Sequence, residues 1–185
     1  MFYQKLLLLL IVTIWRSIAI DIIIPDDGYE LSDVPSLIDQ YSLKHKTIIF
    51  YINSDHYELN INRDITIRVP PNTNVSFIGK SPSSPSSHAL IDYSRGFFNV
   101  IINFTEYTDQ QIIFENIEFY NFSNPRASEV TNIFYMTAIN HKFNILFKNC
   151  IFNTSNSSVF KLDIDKTSYT DDIKYVLRFE SCKFR

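Results

Sequence analysis

Glycine is almost missing from this chain, with three in 185 residues, so its turns must come from Asn, Asp and Pro rather than from unrestricted backbone. Positive charge is not in excess. Lys and Arg number 17 against 20 Asp and Glu, a formal charge of −3, which excludes the broad cationic field that nucleic acid partners require. The four histidines, His45, His56, His88 and His141, are scattered. No two of them stand at the His-x-x-x-His spacing that lets one helix face chelate a metal, and neither metal nor cofactor is expected. No apolar run spans a bilayer either. The longest, Leu6 to Ile14, is closed off by Arg16 and Asp21, well short of the roughly 20 residues needed.

What is present favours sheet. Apolar residues make up 45% of the chain and aromatics 15%, with 16 Phe and 11 Tyr, enough to bury the core of one domain and to prefer strand over helix. The first nineteen residues have the order of a secretory signal peptide: Lys5, the apolar run, then the small residues Ser17-Ile18-Ala19 where a peptidase would cut. Loss of Lys5 and Arg16 with that segment takes the formal charge from −3 to −5. An exported chain meets the glycosylation machinery, and five Asn-x-Ser/Thr triplets begin at Asn74, Asn103, Asn121, Asn153 and Asn156. In so Asn-rich a chain some of these triplets arise by chance. The expected address is secreted, or the extracellular face of the cell surface.

Three segments share one pattern: Ile113-Phe114-Glu115-Asn116-Ile117-Glu118-Phe119, Leu146-Phe147-Lys148-Asn149-Cys150-Ile151-Phe152, and Arg178-Phe179-Glu180-Ser181-Cys182-Lys183-Phe184. The first Phe recurs after 33 and then 32 residues, and so does the last, which is the signature of stacked repeats. Strand alternation turns each Phe inward and the following Glu or Lys outward. Asn116, Asn149 and Ser181 break the alternation, and a sharp left-handed bend is expected there. The runs Phe98 to Phe104, Phe134 to Ile139 and Val159 to Ile164 alternate with period two, so each repeat holds several short strands. Stacking repeats about 4.8 Å apart would lay Phe114, Phe147 and Phe179 in one column and Phe119, Phe152 and Phe184 in another.

Upstream, Ser32 to Tyr41 suits a short amphipathic helix, with Ser32 as its cap and Pro35 in its first turn. Residues 20–46 would then cover the end of a β-stack formed by 47–185. Short strands are expected at Thr47 to Ile52, Tyr57 to Leu59, Ile65 to Ile67, Val75 to Ile78 and Ala89 to Asp92, with the polar stretch Ser81 to Ser87 leaving the stack. A helix followed by Thr47-Ile48-Ile49, Tyr57-Glu58-Leu59, Val75-Ser76-Phe77-Ile78-Gly79 and Ala89-Leu90-Ile91-Asp92 resembles the opening of pectin-lyase-like right-handed parallel β-helix proteins. The Phe-x-Asn-x-x-Phe segments resemble their later coils. The resemblance spans about residues 32 to 185 and implies an all-β solenoid, in a superfamily of lyases, hydrolases, adhesins and structural proteins.

The carboxylate patterns of that superfamily's polyuronide-cutting enzymes do not occur in order, and Asp171-Asp172 lacks the neighbours that such a site needs. Lys161, Asp163 and Asp165 alternate with Phe160, Leu162 and Ile164 and project from one outer face, their carboxylates about 7 Å apart at the backbone. Such a pair could serve an ion or acid and base roles on a sugar, but a solvated strand face is the reading favoured for it. Tyr107, Tyr120 and Tyr135 are aromatic surfaces on which sugar rings could stack. Cys150 and Cys182 occupy one motif position a repeat apart, where either a disulfide or two reduced thiols in an apolar column fits. Two functions follow as expectations. One, the favoured, is a noncatalytic extracellular module that is structural or adhesive or that contacts carbohydrate or another extracellular protein; the other is a carbohydrate-active enzyme, a polysaccharide lyase or glycoside hydrolase. Because Arg185 follows Phe184 with nothing to cover the last repeat, the chain is expected to be part of a longer polypeptide.

Overall fold

The computed structural model of the chain describes residues 19–59, 63–80, 88–94, 99–105, 110–122, 132–139, 142–154, 158–165 and 177–185. Most of the expected signal segment (residues 1–18), the stretch 81–87, Asp171-Asp172, Asn156, Tyr107 and His141 lie outside the described residues.

Alternating β-branched and aromatic residues drive the chain into strands that bury every second side chain. The burial alternates strictly along β2 (Thr47–Asn53), β4 (Ile65–Val69) and β8 (Gln110–Glu115). Three sheets result. The first runs β1 (Ile20–Ile24), β2, β5 (Asn74–Lys80), β8, β11 (Phe143–Lys148), β14 (Leu177–Glu180). The second runs β3 (Tyr57–Glu58), β6 (Ala89–Asp92), β9 (Ile117–Phe122), β12 (Ile151–Thr154), β15 (Lys183–Phe184). The third runs β4, β7 (Val100–Phe104), β10 (Asn132–Ala138), β13 (Ser158–Ile164). Every pairing is parallel.

From β2 onward the chain visits first, second and third sheet in unbroken rotation. Parallel partners need a long crossover between them, and here two strands of the other sheets form it.

The interior is ordered by like residues lying over one another. Phe50, Phe77, Phe114, Phe147 and Phe179 form one column, with successive ring centroids 5.2, 5.0, 5.0 and 5.1 Å apart and planes within 16° of parallel. Phe119, Phe152 and Phe184 form a second, at 5.3 and 5.0 Å. Phe114, Phe147 and Phe179, and Phe119, Phe152 and Phe184, stack as expected from the repeat, and Phe50 and Phe77, which lie outside the three motif copies, extend the first column. Parallel strand spacing sets the ring separation and makes offset stacking the accessible geometry. Between the columns the rings meet edge to face, as Phe147 and Phe152 do at 5.5 Å and 73°. Phe134 of β10 closes the interior from the third sheet, 5.0 Å from Phe114 and 5.2 Å from both Phe119 and Phe147. Each fully buried Phe contributes about 1.5–3 kcal/mol by transfer from water alone.

The corner between first and second sheets turns through a left-handed residue in each motif copy: Asn116 at φ 60°, Asn149 at 49° and Ser181 at 54°. Those are the three positions where the alternation breaks. Gly79 holds the equivalent place one circuit earlier, because a Cβ there would lie 2.0 Å from the Asn116 carbonyl oxygen and 2.9 Å from Ala89 Cβ. After each corner Ile117 and Cys150 return to the buried interior. Cys150 and Cys182 carry free thiols; Cys150 Sγ donates to Phe114 O and Cys182 Sγ to Phe147 O, each at 3.4 Å.

One end is covered by α1 (Val34–Ser42), which buries Val34, Leu37 and Ile38 and packs against β4 and β2. It is the single α-helix among the described residues. Pro35 sits in its first turn as expected, but Ser32 does not cap it. A 3-10 turn, Leu31–Asp33, precedes the helix instead. Its capping box joins Glu30 and Asp33, whose Oδ2 accepts the Glu30 backbone N–H at 2.9 Å. Strand β1 is a second departure. Ile20–Ile24 pairs with Ile48–Ile52 of β2 and extends the first sheet before the helix is reached.

Candidate functional site

The outer face of the third sheet collects the polar residues that the sequence singled out. Strand β13 exposes Lys161 and Asp163, with Asp165 just beyond its end, and turns Phe160, Leu162 and Ile164 toward the interior. The Lys161 ammonium lies 3.0 Å from Asp163 Oδ2. Tyr135 of β10 donates its hydroxyl to the same oxygen at 2.8 Å, and Lys161 Nζ stands 4.9 Å from the Tyr135 ring centroid. Parallel register produces this cluster. Tyr135 pairs with Lys161 and Thr137 with Asp163, so one strand's hydroxyl reaches the next strand's carboxylate.

The register carries on through the sheet. Asp163, Thr137, Asn103 and Arg68 are successive partners across β13, β10, β7 and β4, and Thr137 Oγ1 donates to Asn103 Oδ1 at 2.8 Å. An anion, a hydroxyl, an amide and a cation therefore form one file across the four strands. Sequence reasoning found the Asp163 end of it, singled out Asn103 only as a sequon asparagine and missed Arg68 and Thr137, whose membership shows only once the register is known.

Electrostatics assign Asp163 a definite state. The hydrogen bond from Tyr135, joined by that from Lys161, holds its carboxyl below the usual carboxylate range, while the same contacts push the Tyr135 hydroxyl and Lys161 ammonium upward. Asp163 is thus an ionised acceptor with one oxygen already serving two donors. A general acid needs the opposite shift. Asp165 continues the face one step beyond, with its backbone N–H bonded to Ala138 O at 2.8 Å.

A second polar cluster was not foreseen. Asp92, buried at the end of β6, receives His56 Nε2 at 2.8 Å, the Ser94 backbone N–H at 2.8 Å and Asn121 Nδ2 at 3.3 Å. Burial raises its pKa and these donors more than reverse the effect, leaving it lowered. His56 and Asp92 are 36 residues apart, off the 32- and 33-residue spacing of the motif, so no spacing rule joins them. The donors on Asp92 come from just before β3, just after β6 and from β9, so the cluster ties successive strands of the second sheet together.

Among the described residues no three His, Cys, Asp or Glu side chains converge in a way that could hold a metal ion. Nor is any described helix long and apolar enough to cross a membrane. Of the sequon asparagines, Asn74 and Asn121 are exposed. Asn103 and Asn153 are half-buried, and Asn153 Nδ2 donates to Glu118 Oε1 at 3.4 Å. Tyr120 is half-buried on β9 and does not join the third-sheet cluster. No known protein-family model, no curated protein and no solved structure matches the chain.

Proposed function

We propose that the chain is a secreted or cell-surface module, a right-handed parallel β-helix of the pectin-lyase-like kind, that contacts carbohydrate without cleaving it. The rotation through three parallel sheets supports the architecture, and the strong bias of parallel crossovers supports the hand. The observation that carries the function is the file Arg68, Asn103, Thr137 and Asp163 flanked by Tyr135 and Lys161. It offers donors, acceptors and an aromatic ring on a flat, rigid face, which is the chemistry that sugar hydroxyls and ring faces meet. Export with glycosylation at Asn74 and Asn121 is part of the same reading. Both asparagines are exposed on strand ends, and a mass shift on glycosidase treatment of the secreted protein tests them.

The enzyme alternative assigns acid and base roles to Asp163 and Asp165. The lowered pKa of Asp163 weighs against its serving as the acid, since a proton donor at that position would need burial or a like charge to hold its proton. A screen of uronate and neutral polysaccharides separates the two. Saturable binding without bond cleavage, weakened in Tyr135→Ala and in Asp163→Ala, supports the module. Turnover that disappears in Asp163→Ala reverses the assignment.

A further inference from the structure

A cleft of about 390 Å³ opens where the C-terminal end of α1 passes the turn between β4 and β5, with residues 42–46 on one side and 71–73 on the other. We infer that this cleft binds a sugar bearing a sulfate or phosphate ester, with Lys44 and Lys46 holding the ester. The inference does not rest on the third-sheet reading, because none of the residues of that file line the cleft.

Charge is the first argument. Lys44 and Lys46 are exposed side chains of the lining, and no carboxylate is among the described residues that line it. The nearest acid in sequence is Asp39, on α1, whose carbonyl accepts the Ser42 hydroxyl at 3.4 Å. In a chain of formal charge −3, two ammonium groups with no carboxylate among the described lining residues make a local reversal of sign. Such a site selects an oxyanion.

Size and lining narrow the ligand. The space is several times what a bare oxyanion fills and lies within the range of small-molecule sites. Ser42 and the exposed Asn72 also line it beside the nearly buried Thr73, the Ser42 and Thr73 hydroxyls donating to Asp39 O and Pro71 O and keeping their oxygens as acceptors. Leu43, 84% exposed, is the apolar member of the lining. Hydroxyls beside an anion, with one apolar flank, describe an esterified sugar better than they describe a free ion.

The walls are also held in place. Lys44 and His45 backbone N–H groups both bond to Tyr41 O, at 3.0 and 2.9 Å, and Asn74 N–H bonds to Lys46 O at 2.8 Å, tying the two sides together. Across the cleft, Thr73 Oγ1 donates to Pro71 O at 3.2 Å, and Asn72 turns the chain at φ 53°. Because the backbone is already fixed, binding orders only the two lysine side chains.

The test is calorimetry on the full secreted protein, stripped of N-glycans because Asn74 borders the turn. The probes are glucose 6-sulfate, glucose 6-phosphate, glucose, and vesicles containing phosphatidylserine. Both esters should saturate while glucose does not. The Lys44→Gln/Lys46→Gln variant should bind roughly tenfold or more weakly, as expected for loss of charge-assisted bonds. Lys183→Gln/Arg185→Gln removes the same charge from the far end of the chain and should bind as the parent does. The inference is overturned if neither ester saturates, if glucose binds equally, if both double variants lose binding alike, or if only the vesicles bind.

Discussion

Asn149 Nδ2 donates to Asn116 Oδ1 at 3.0 Å, one circuit away, and both asparagines hold the left-handed backbone at their corner. Asn116 continues the chain of bonds by donating to Gly79 O at 3.0 Å. One residue type thus meets two needs at once: it tolerates positive φ, and its amide satisfies the carbonyl of the neighbouring corner.

Replacing Asn116 by Ala removes both bonds and puts a less tolerant residue at φ 60°. The expected loss is about 2–3 kcal/mol in urea denaturation, summed from a strained backbone and two amide bonds. Asn116→Gly keeps the backbone relaxed and should lose less. Equal losses in the two variants would show that the backbone conformation contributes nothing.

Phe147 is fully buried, with Phe114 and Phe179 stacked on either side and Phe134 and Phe152 against its edges. Phe147→Ala should destabilise by about 3–5 kcal/mol through lost transfer energy and the cavity left behind. Phe184 ends its column 57% exposed, and Phe184→Ala should cost under about 1.5 kcal/mol on the same transfer scale. Thermal melts of the two variants measure the contrast.

At Gly79 the prediction is steric. A methyl group would sit 2.0 Å from the Asn116 carbonyl oxygen, an atom of the backbone that cannot swing aside. Gly79→Ala should therefore cost about 3 kcal/mol or more, the upper end of overpacking losses, despite the general preference of strands for Ala over Gly.

Asp92 should make the fold acid-sensitive. Its folded pKa is lowered by donors from His56, Ser94 and Asn121. An acid with a depressed folded pKa contributes stability above its unfolded pKa, and that stability is lost as pH falls through the folded value. The denaturation midpoint should therefore drop below about pH 4, the ordinary Asp value, and Asp92→Asn should flatten that part of the profile. A profile unchanged by the substitution would remove Asp92 as the cause.

Burial pushes the Cys150 thiol up to about 12, helped by its neighbour Cys182. Thiolate is the reactive form, so Cys150 should resist maleimide in the native protein and react promptly in denaturant. Two adducts in unreduced, denatured protein correspond to the free thiols. A single mass two hydrogen atoms lighter, with no adduct, corresponds to a bridge.

The columns and corners were legible because the motif repeats with its Phe at fixed spacing and its Asn or Ser where alternation fails. Strand β1 was not. Ile20-Asp21-Ile22-Ile23-Ile24 lies close behind the apolar run Leu6 to Ile14 and belongs to no repeat, so nothing in its pattern distinguishes it from that run. The helix start was misassigned to Ser32 although Glu30 and Asp33 stand three apart, the spacing at which acidic side chains exchange bonds with backbone. The outward file on the third sheet was half legible. Alternation within β13 exposes Lys161 and Asp163, whereas their partners Thr137, Asn103 and Arg68 follow from cross-strand register, which depends on loop lengths rather than on local pattern.

Because the strands after β2 bond only to their equivalents one circuit before and after, load applied along the stacking direction cannot be shared by the whole molecule at once. Under a steady pull in an optical trap, the protein should lengthen in unequal steps, each freeing one circuit of 27, 37, 33 or 32 residues, the separations of Phe50, Phe77, Phe114, Phe147 and Phe179. Steps of that kind are about 90–130 Å of extended chain. The folded part that remains should keep its stiffness until its own outermost circuit lets go, so the module behaves as a ratcheting extension rather than as a single brittle link.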